Sequence, residues 1–249
     1  MLFDIKGKNA IVTGASRGIG YGIAKGFAEA GANLICICRS MPEDVLKEFR
    51  SFGVRAEAYS FDLSEPEKIP ALVEKILADW GRIDILVNNA GAHRRNNCAD
   101  FTDEDWDFVM NVNAKSVFVL CREVGRHMVQ RGSGKIVNFA SLLSFQGGYR
   151  VPAYSASKGA VMQFTKTFAN EWAKLGVNVN CIAPGYIDTE MNVALVNDPV
   201  RNEQITTRIP AGRWGHPEDL VGAAIFLSSS ASDYVHGTTL IVDGGWMGR

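Results

Sequence analysis

The stretch Ala10-Ile11-Val12-Thr13-Gly14-Ala15-Ser16-Arg17-Gly18-Ile19-Gly20 passes from an apolar, β-branched run through a glycine turn into a helical pattern. The three glycines have separate physical uses. Gly14 permits a tight turn, Gly18 lets the backbone approach a bound anion, and Gly20 permits close packing of helix on strand. The helix that follows presents free N–H groups at its start, which suits a pyrophosphate. The spacing is GxxxGxG rather than GxGxxG, and an ordinary βα turn also uses one or two glycines. Its place between the first strand and the first helix favours the anion-binding reading, with Gly14, Ser16, Arg17, Gly18, Ile19 and Gly20 around the phosphates.

Outward from this unit the alternation repeats. Short apolar runs at 34–38, 83–87, 135–139, 177–182 and 239–242 suit strands buried on both faces. Residues 19–30, 66–80, 103–130, 154–175 and 217–228 read as helices, the last announced by Pro217 followed by Glu218 and Asp219. Such alternation implies right-handed βαβ units: an α/β fold with a doubly wound parallel sheet of about seven strands and helices on both faces. No internal repeat, low-complexity linker or charge block marks a boundary, so residues 1–249 read as one domain. The stretch 186–215 breaks the rhythm with Pro199, Pro210, Gly212 and Gly215. It far exceeds the usual connection of about 4–6 residues, and reads either as a loop over a substrate or as a partly disordered connector.

Composition narrows the class. At 249 residues and 47% hydrophobic content, the chain buries a core that needs no staples. A net charge of −1 offers no basic surface for a nucleic-acid backbone. The five cysteines are scattered through apolar stretches, which fits buried thiols in a reducing compartment. Cys36 and Cys38 share one face of a strand, where packing explains them better than a metal. No run approaches the ~20 apolar residues of a membrane span, and residues 1–8 lack the core of a signal peptide. The expectation is a cytoplasmic protein with neither membrane nor nucleic acid as partner.

The second strand ends in Cys38-Arg39-Ser40. An acid at that point would bond a ribose 2′-hydroxyl, whereas an arginine accommodates a 2′-phosphate. The planar fork of Arg39, the Ser40 hydroxyl and assistance from Arg17 favour NADP(H), with NAD(H) the alternative. Both arginines would equally serve as plain surface charges.

In Tyr154-Ser155-Ala156-Ser157-Lys158, Tyr and Lys stand four apart on one helix face. A free tyrosine, with a pKa of about 10, takes up a proton poorly near neutrality, and a neighbouring ammonium draws that value down. The pair occurs by chance on many helices, so its company matters. Ser141 follows a strand, and Asn88-Asn89-Ala90-Gly91 closes another. Ligands of open α/β sheets bind outside the carboxyl ends of strands.

With these motifs in order, the chain resembles the short-chain dehydrogenase/reductase family over nearly its full length. The matching residues are the 13–20 turn, Asp62-Leu63, Asn88 to Gly91, Asn113, Ser141, Tyr154 with Lys158, and Pro184-Gly185 with Thr189. The resemblance implies a Rossmann fold and an NAD(P)-dependent oxidoreductase acting on CH–OH groups. It implies that Tyr154 is the acid/base, that Ser141 polarises the carbonyl, and that Lys158 holds the nicotinamide ribose and lowers the Tyr154 pKa. Asn113 would anchor a water of the proton relay. Asp62 and Leu63 would meet the adenine, Asn89, Ala90 and Gly91 the middle of the cofactor, and Pro184, Gly185, Ile187 and Thr189 the nicotinamide. It also implies a homotetramer built partly from C-terminal segments, such as Val242-Asp243-Gly244-Gly245-Trp246.

Finer details resemble the branch of the family acting on sugar acids of the 2-dehydro-3-deoxy-D-gluconate or 2-deoxy-D-gluconate type. They are residues 144–152, Arg94-Arg95, 208–215, 170–174 and the Asp243 to Trp246 ending. A sugar acid needs cations for its carboxylate, which Arg94, Arg95 or Arg150 would supply, and partners for its hydroxyls, such as Gln146 and His93. Each arginine alone reads equally as a surface or subunit-contact residue. The basic end of the second strand departs from the NAD-linked habit of that branch. Two other readings stand beside this one: a 3-oxoacyl-acyl-carrier-protein reductase, and a cofactor-binding regulator or scaffold without turnover.

Overall fold

A computed structural model describes residues 2–249. Seven parallel strands form one sheet: β1 (Asn9–Thr13), β2 (Asn33–Cys38), β3 (Ala56–Ser60), β4 (Ile85–Asn88), β5 (Gly134–Phe139), β6 (Val177–Pro184) and β7 (Thr239–Val242). Their order is β3-β2-β1-β4-β5-β6-β7. β1 pairs with both β2 and β4, so the winding reverses between β1 and β4 and leaves a crevice beyond their carboxyl ends.

The strands are apolar on both sides because both sides are covered. Ile11, Ile35, Leu86 and Ile136 face a core shared with α3 (Ile69–Trp80), α5 (Ser116–Arg131) and α6 (Pro152–Trp172). Their neighbours Val12, Leu34, Val87 and Val137 face the opposite core, shared with α1 (Gly18–Glu29), α2 (Glu43–Ser51) and α9 (Val221–Ser228). This is the doubly wound arrangement expected from the alternation of strands and helices.

Some elements differ from the sequence reading. β3 reads Ala56-Glu57-Ala58-Tyr59-Ser60 at the sheet edge, where half its side chains meet solvent and no continuous apolar run forms. Nine residues of α2, opened by Glu43 and Asp44 in its first turn, also escape the apolar pattern. The expected helix over 103–130 is interrupted. α4 (Asp103–Met110) passes through a π-helical turn, Asn111–Lys115, before α5 begins. Single π turns of this kind are frequent at functional sites. Residues 186–215 are no structureless connector, since they contain α7 (Val193–Val196) and α8 (Pro199–Arg208). Ile205, Ile209 and Trp214 of this stretch form a separate apolar cluster with Trp246 and with Leu142, the residue after Ser141. Among the described residues no helix is long and apolar enough to cross a membrane.

Candidate active site

The glycine turn and the Asn88 to Gly91 turn lie side by side at the point of reversal, and Thr13 joins them. Its hydroxyl accepts the Asn89 and Ala90 N–H groups, each at 3.0 Å, and its carbonyl accepts the Asn89 side-chain amide at 3.0 Å. A Cβ on Gly20 would collide with the Gly14 carbonyl and the Asn89 side chain, which accounts for the third glycine. Gly14 and Gly18 have φ of 70° and 56°, the left-handed region that glycine enters without steric cost.

α1 begins at Gly18 with no side chain capping its first N–H groups and no acid in its first turn. Across the crevice the strip after β6 returns to meet it: Thr189 lies 3.6 Å from where a Gly18 Cβ would stand. That strip is held by a Gly185 N–H bond to Val242 (2.9 Å) and by paired bonds between Tyr186–Asp188 and Gly215 (2.9 and 2.8 Å). The bare helix start fits a dinucleotide pyrophosphate, with Thr189 beside it.

At the adenine end, Arg39 and Ser40 are exposed and Leu63 is buried. The Asp62 carboxylate accepts the Ser64 N–H at 2.9 Å, and this bond holds its pKa below the usual range. The two arginines considered for the 2′-phosphate are not brought together. Arg17 reaches the other way and pairs with Glu190, the residue after Thr189, at 2.5 Å.

The chemical groups converge between β4, β5 and α6. Asn113 lies in the π turn, fully buried. Its carboxamide oxygen accepts the Ala92 N–H (2.8 Å), and its nitrogen donates to the Ala92 carbonyl (2.8 Å) and to Ser157 (3.1 Å). Ser157 in turn donates to the Tyr154 carbonyl at 2.7 Å. One buried side chain thus ties the β4 turn to the helix carrying Tyr154 and Lys158. A Cβ on Gly91 would come 3.5 Å from the Asn113 oxygen and 3.8 Å from the Lys158 ammonium, so these residues share one small space.

Burial raises the Tyr154 phenol above its ordinary pKa, and the Ser141 hydroxyl facing it opposes that shift. The resemblance implied that Lys158 lowers the Tyr154 pKa. In this structure the opposing pull comes from Ser141, because the Lys158 ammonium donates to the Phe139 carbonyl at 2.6 Å and stands 5.8 Å from the phenol ring centre. Burial brings the Lys158 pKa down to about 8. The Ser141 oxygen accepts the Leu143 N–H at 3.2 Å, which leaves its own proton free to donate outward.

The three arginines proposed for a carboxylate differ. Arg94 is committed: its Nε pairs with Asp105 at 3.2 Å, and its guanidinium lies 4.3 Å over the Phe108 ring. Among the described residues Arg95 and Arg150 have no ion-pair partner, and both are exposed. Their segments touch, since the Asn96 N–H donates to the Arg150 carbonyl at 3.1 Å. Arg150 has φ of 63°, the sole positive value outside glycine among the described residues. Gln146 is half-buried. Burial, then the charges of Arg95 and Arg94, depress the His93 pKa. The imidazole is therefore a neutral hydrogen-bonding group near neutrality.

The sequence reading assigned no individual role to Thr13, Ser157 or Glu190. Serine and threonine occur everywhere, and these act through partners 76, 44 and 173 residues distant. No metal-binding cluster of His, Cys, Asp and Glu occurs among the described residues.

Comparison with known proteins places this geometry. Residues 14–247 match the family model described as enoyl-(acyl carrier protein) reductase. A 2-dehydro-3-deoxy-D-gluconate 5-dehydrogenase of Dickeya dadantii is 50% identical over 248 residues, spanning 99% of this chain and 98% of that protein. A solved putative 2-deoxy-D-gluconate 3-dehydrogenase of Agrobacterium tumefaciens with bound NADP superposes with a TM-score of 0.93 at 50% identity, covering 99% of both chains. A gluconate 5-dehydrogenase of Burkholderia cenocepacia, solved with NADP and tartrate, gives 0.94 at 43% identity, covering 99% of this chain and 98% of that one. The chain belongs to the short-chain dehydrogenase/reductase family, NAD(P)-dependent oxidoreductases acting on CH–OH groups.

Proposed function

We propose that this protein transfers a hydride between NADP(H) and a secondary alcohol or ketone of a sugar acid, of the 2-dehydro-3-deoxy-D-gluconate or gluconate type. The observation that carries the reading is the placement of Ser141 and Tyr154 at the crevice, with the unpaired Arg95 on the segment leading away from the Asn88 to Gly91 turn. Three relatives spanning nearly the whole chain, at 43–50% identity, carry names of sugar-acid dehydrogenases, and two of them were solved with NADP. They favour this reading over an acyl-carrier-protein reductase and over a regulator without turnover.

Gly14, Gly18 and the start of α1 would hold the pyrophosphate, and Arg39 with Ser40 the 2′-phosphate. Asp62 and Leu63 would meet the adenine, and residues 184–189 the nicotinamide, which supplies or accepts the hydride. In the reducing direction Ser141 donates a hydrogen bond to the carbonyl oxygen, and Tyr154 delivers its proton to that oxygen as the alcohol forms. In the oxidising direction Tyr154 takes that proton back. The Ser141 hydroxyl steadies the phenolate left behind, and Lys158, one helical turn away, would hold the nicotinamide ribose. Arg95 holds the substrate carboxylate, with Arg150 at its flank, and the neutral His93 and Gln146 serve hydroxyls. Residues 186–215 act as the substrate loop of a single-domain enzyme.

Phe118 stands exposed on α5 beside the half-buried Phe164 of α6, their rings 6.0 Å apart, and this apolar patch supports association into the expected cytoplasmic homotetramer. The test is a spectrophotometric panel of ketogluconates, gluconates and acyl thioesters with both cofactors. Turnover of a sugar acid with NADP(H) is expected, lowered about 10²–10⁴-fold by Tyr154→Phe and shifted to higher KM, at similar kcat, by Arg95→Ala. Preference for acyl thioesters, or near-normal kcat in Tyr154→Phe, would overturn the reading.

A further inference from the structure

Ser141 lies at the end of β5 and Tyr154 on α6, so two separate pieces of chain must hold their hydroxyls in register. One side chain spans the gap. The Ser144 hydroxyl accepts the backbone N–H of Ser141 at 3.3 Å and donates to the backbone carbonyl of Lys158 at 2.7 Å. Its donor and acceptor capacities are both engaged, one on each side. A carbonyl has two lone pairs, so the Lys158 oxygen accepts this bond without giving up its helical one. The Ser144 N–H also closes onto the Ser141 carbonyl at 2.9 Å, and the Leu143 N–H fixes the Ser141 hydroxyl oxygen at 3.2 Å. Together these bonds fix both the position of Ser141 and the direction in which its proton points.

We propose that Ser144 is a positioning residue for the reaction, clamping the turn that carries Ser141 to the backbone of the helix that carries Tyr154 and Lys158. The proposal rests on the catalytic reading of Ser141 and Tyr154. Ser144 touches neither substrate nor cofactor in this scheme, and acts only through Ser141. Loss of one such bond between neutral groups in a half-buried setting leaves the fold intact but loosens the donor. Tight placement of donors is what makes them effective in a transition state.

The experiment compares Ser144→Ala, Ser144→Thr, Ser141→Ala and the double variant Ser141→Ala/Ser144→Ala under saturating cofactor. Ser144→Ala is expected to lower kcat about 5–10-fold, the loss of one modest hydrogen bond, with KM for NADPH unchanged. Ser144→Thr, which keeps the hydroxyl, is expected to recover most of that loss. In the Ser141→Ala background, removal of Ser144 is expected to have no further effect, because the group it positions is gone. A kcat of Ser144→Ala within twofold of wild type overturns the proposal, as does an equal loss in both backgrounds. The underlying reading fails separately: it falls if Ser141→Ala and Tyr154→Phe themselves turn over normally.

Discussion

Burial holds the Lys158 ammonium at a pKa of about 8, against an ordinary value of 10.5. Between those values the unfolded chain binds the proton and the folded one does not, so the cost of burying the charge is full below pH 8 and fades as pH rises toward 10.5. The cost is on the order of 3 kcal/mol. Lys158→Met should therefore raise Tm at pH 7 by several degrees while abolishing turnover, and its advantage should shrink from pH 8 upward. A fall in Tm at pH 7, followed by calorimetry, would contradict this. Arg39 offers a second test. With Arg17 held by Glu190, Arg39 is the arginine left free at the end of β2. Arg39→Ala should cut kcat/KM for NADPH about 10–100-fold, the scale of one or two charged hydrogen bonds, and leave NADH nearly untouched. Equal loss with both cofactors would move the 2′-phosphate elsewhere. Tyr154 and Lys158 drew attention by their spacing of four and Ser141 by following a strand, whereas Asn113 entered only through the family resemblance. The separation of Arg94 from Arg95 was not, since it depends on Asp105 and Phe108 coming round on α4.

At the scale of elements, Gly22 and Gly26 of α1 stand one helical turn apart on one face. A Cβ on Gly22 would lie 2.7 Å from the Pro217 Cβ, and one on Gly26 would collide with Val221. This pair lets α1 lie almost backbone to side chain against Pro217 and against Val221 at the start of α9. Gly26→Ala should lower stability by about 1–3 kcal/mol through overpacking. Gly222→Ala, on α9 where a Cβ meets nothing within 4 Å, should raise it by roughly 0.5–1 kcal/mol. Thermal melts of the two variants should move in opposite directions. Periodicity made most helices and six of the seven strands readable. β3 escaped because an edge strand needs only Ala56 and Tyr59 inside, and α8 escaped because its one buried residue, Ile205, sets no period. The π turn left no signal, since its apolar residues continue the pattern of α4 and α5.

Over the whole molecule, four thiols are buried and only Cys98 is exposed. Burial pushes Cys121 up to about 12 and Cys181 to about 11, and raises Cys36 and Cys38 as well. A raised folded pKa gives stability that is intact below 9, the ordinary thiol value, and is lost as the unfolded thiols ionise above it. Stability should thus decline above pH 9, and a disulfide-exchange reagent should titrate one thiol promptly and four only on unfolding. Two or more prompt thiols would contradict the packing. Right-handed crossovers set the face on which each helix lies but not the strand order, so the sequence indicated the carboxyl ends of the strands while the reversal between β1 and β4 emerged only from the pairing of β1 with both β2 and β4. The π turn adds a constraint of another kind, on the length of the chain rather than its composition. Each residue of a helix turns the chain by roughly 100°. Asn113 meets both Ala92 and Ser157 because the turn at Asn111–Lys115 shifts the phase between α4 and α5. Deleting Asn111 or Lys115 would leave every apolar side chain type in place and swing the carboxamide away from the active site, so the segment is constrained in its length as well as in its letters.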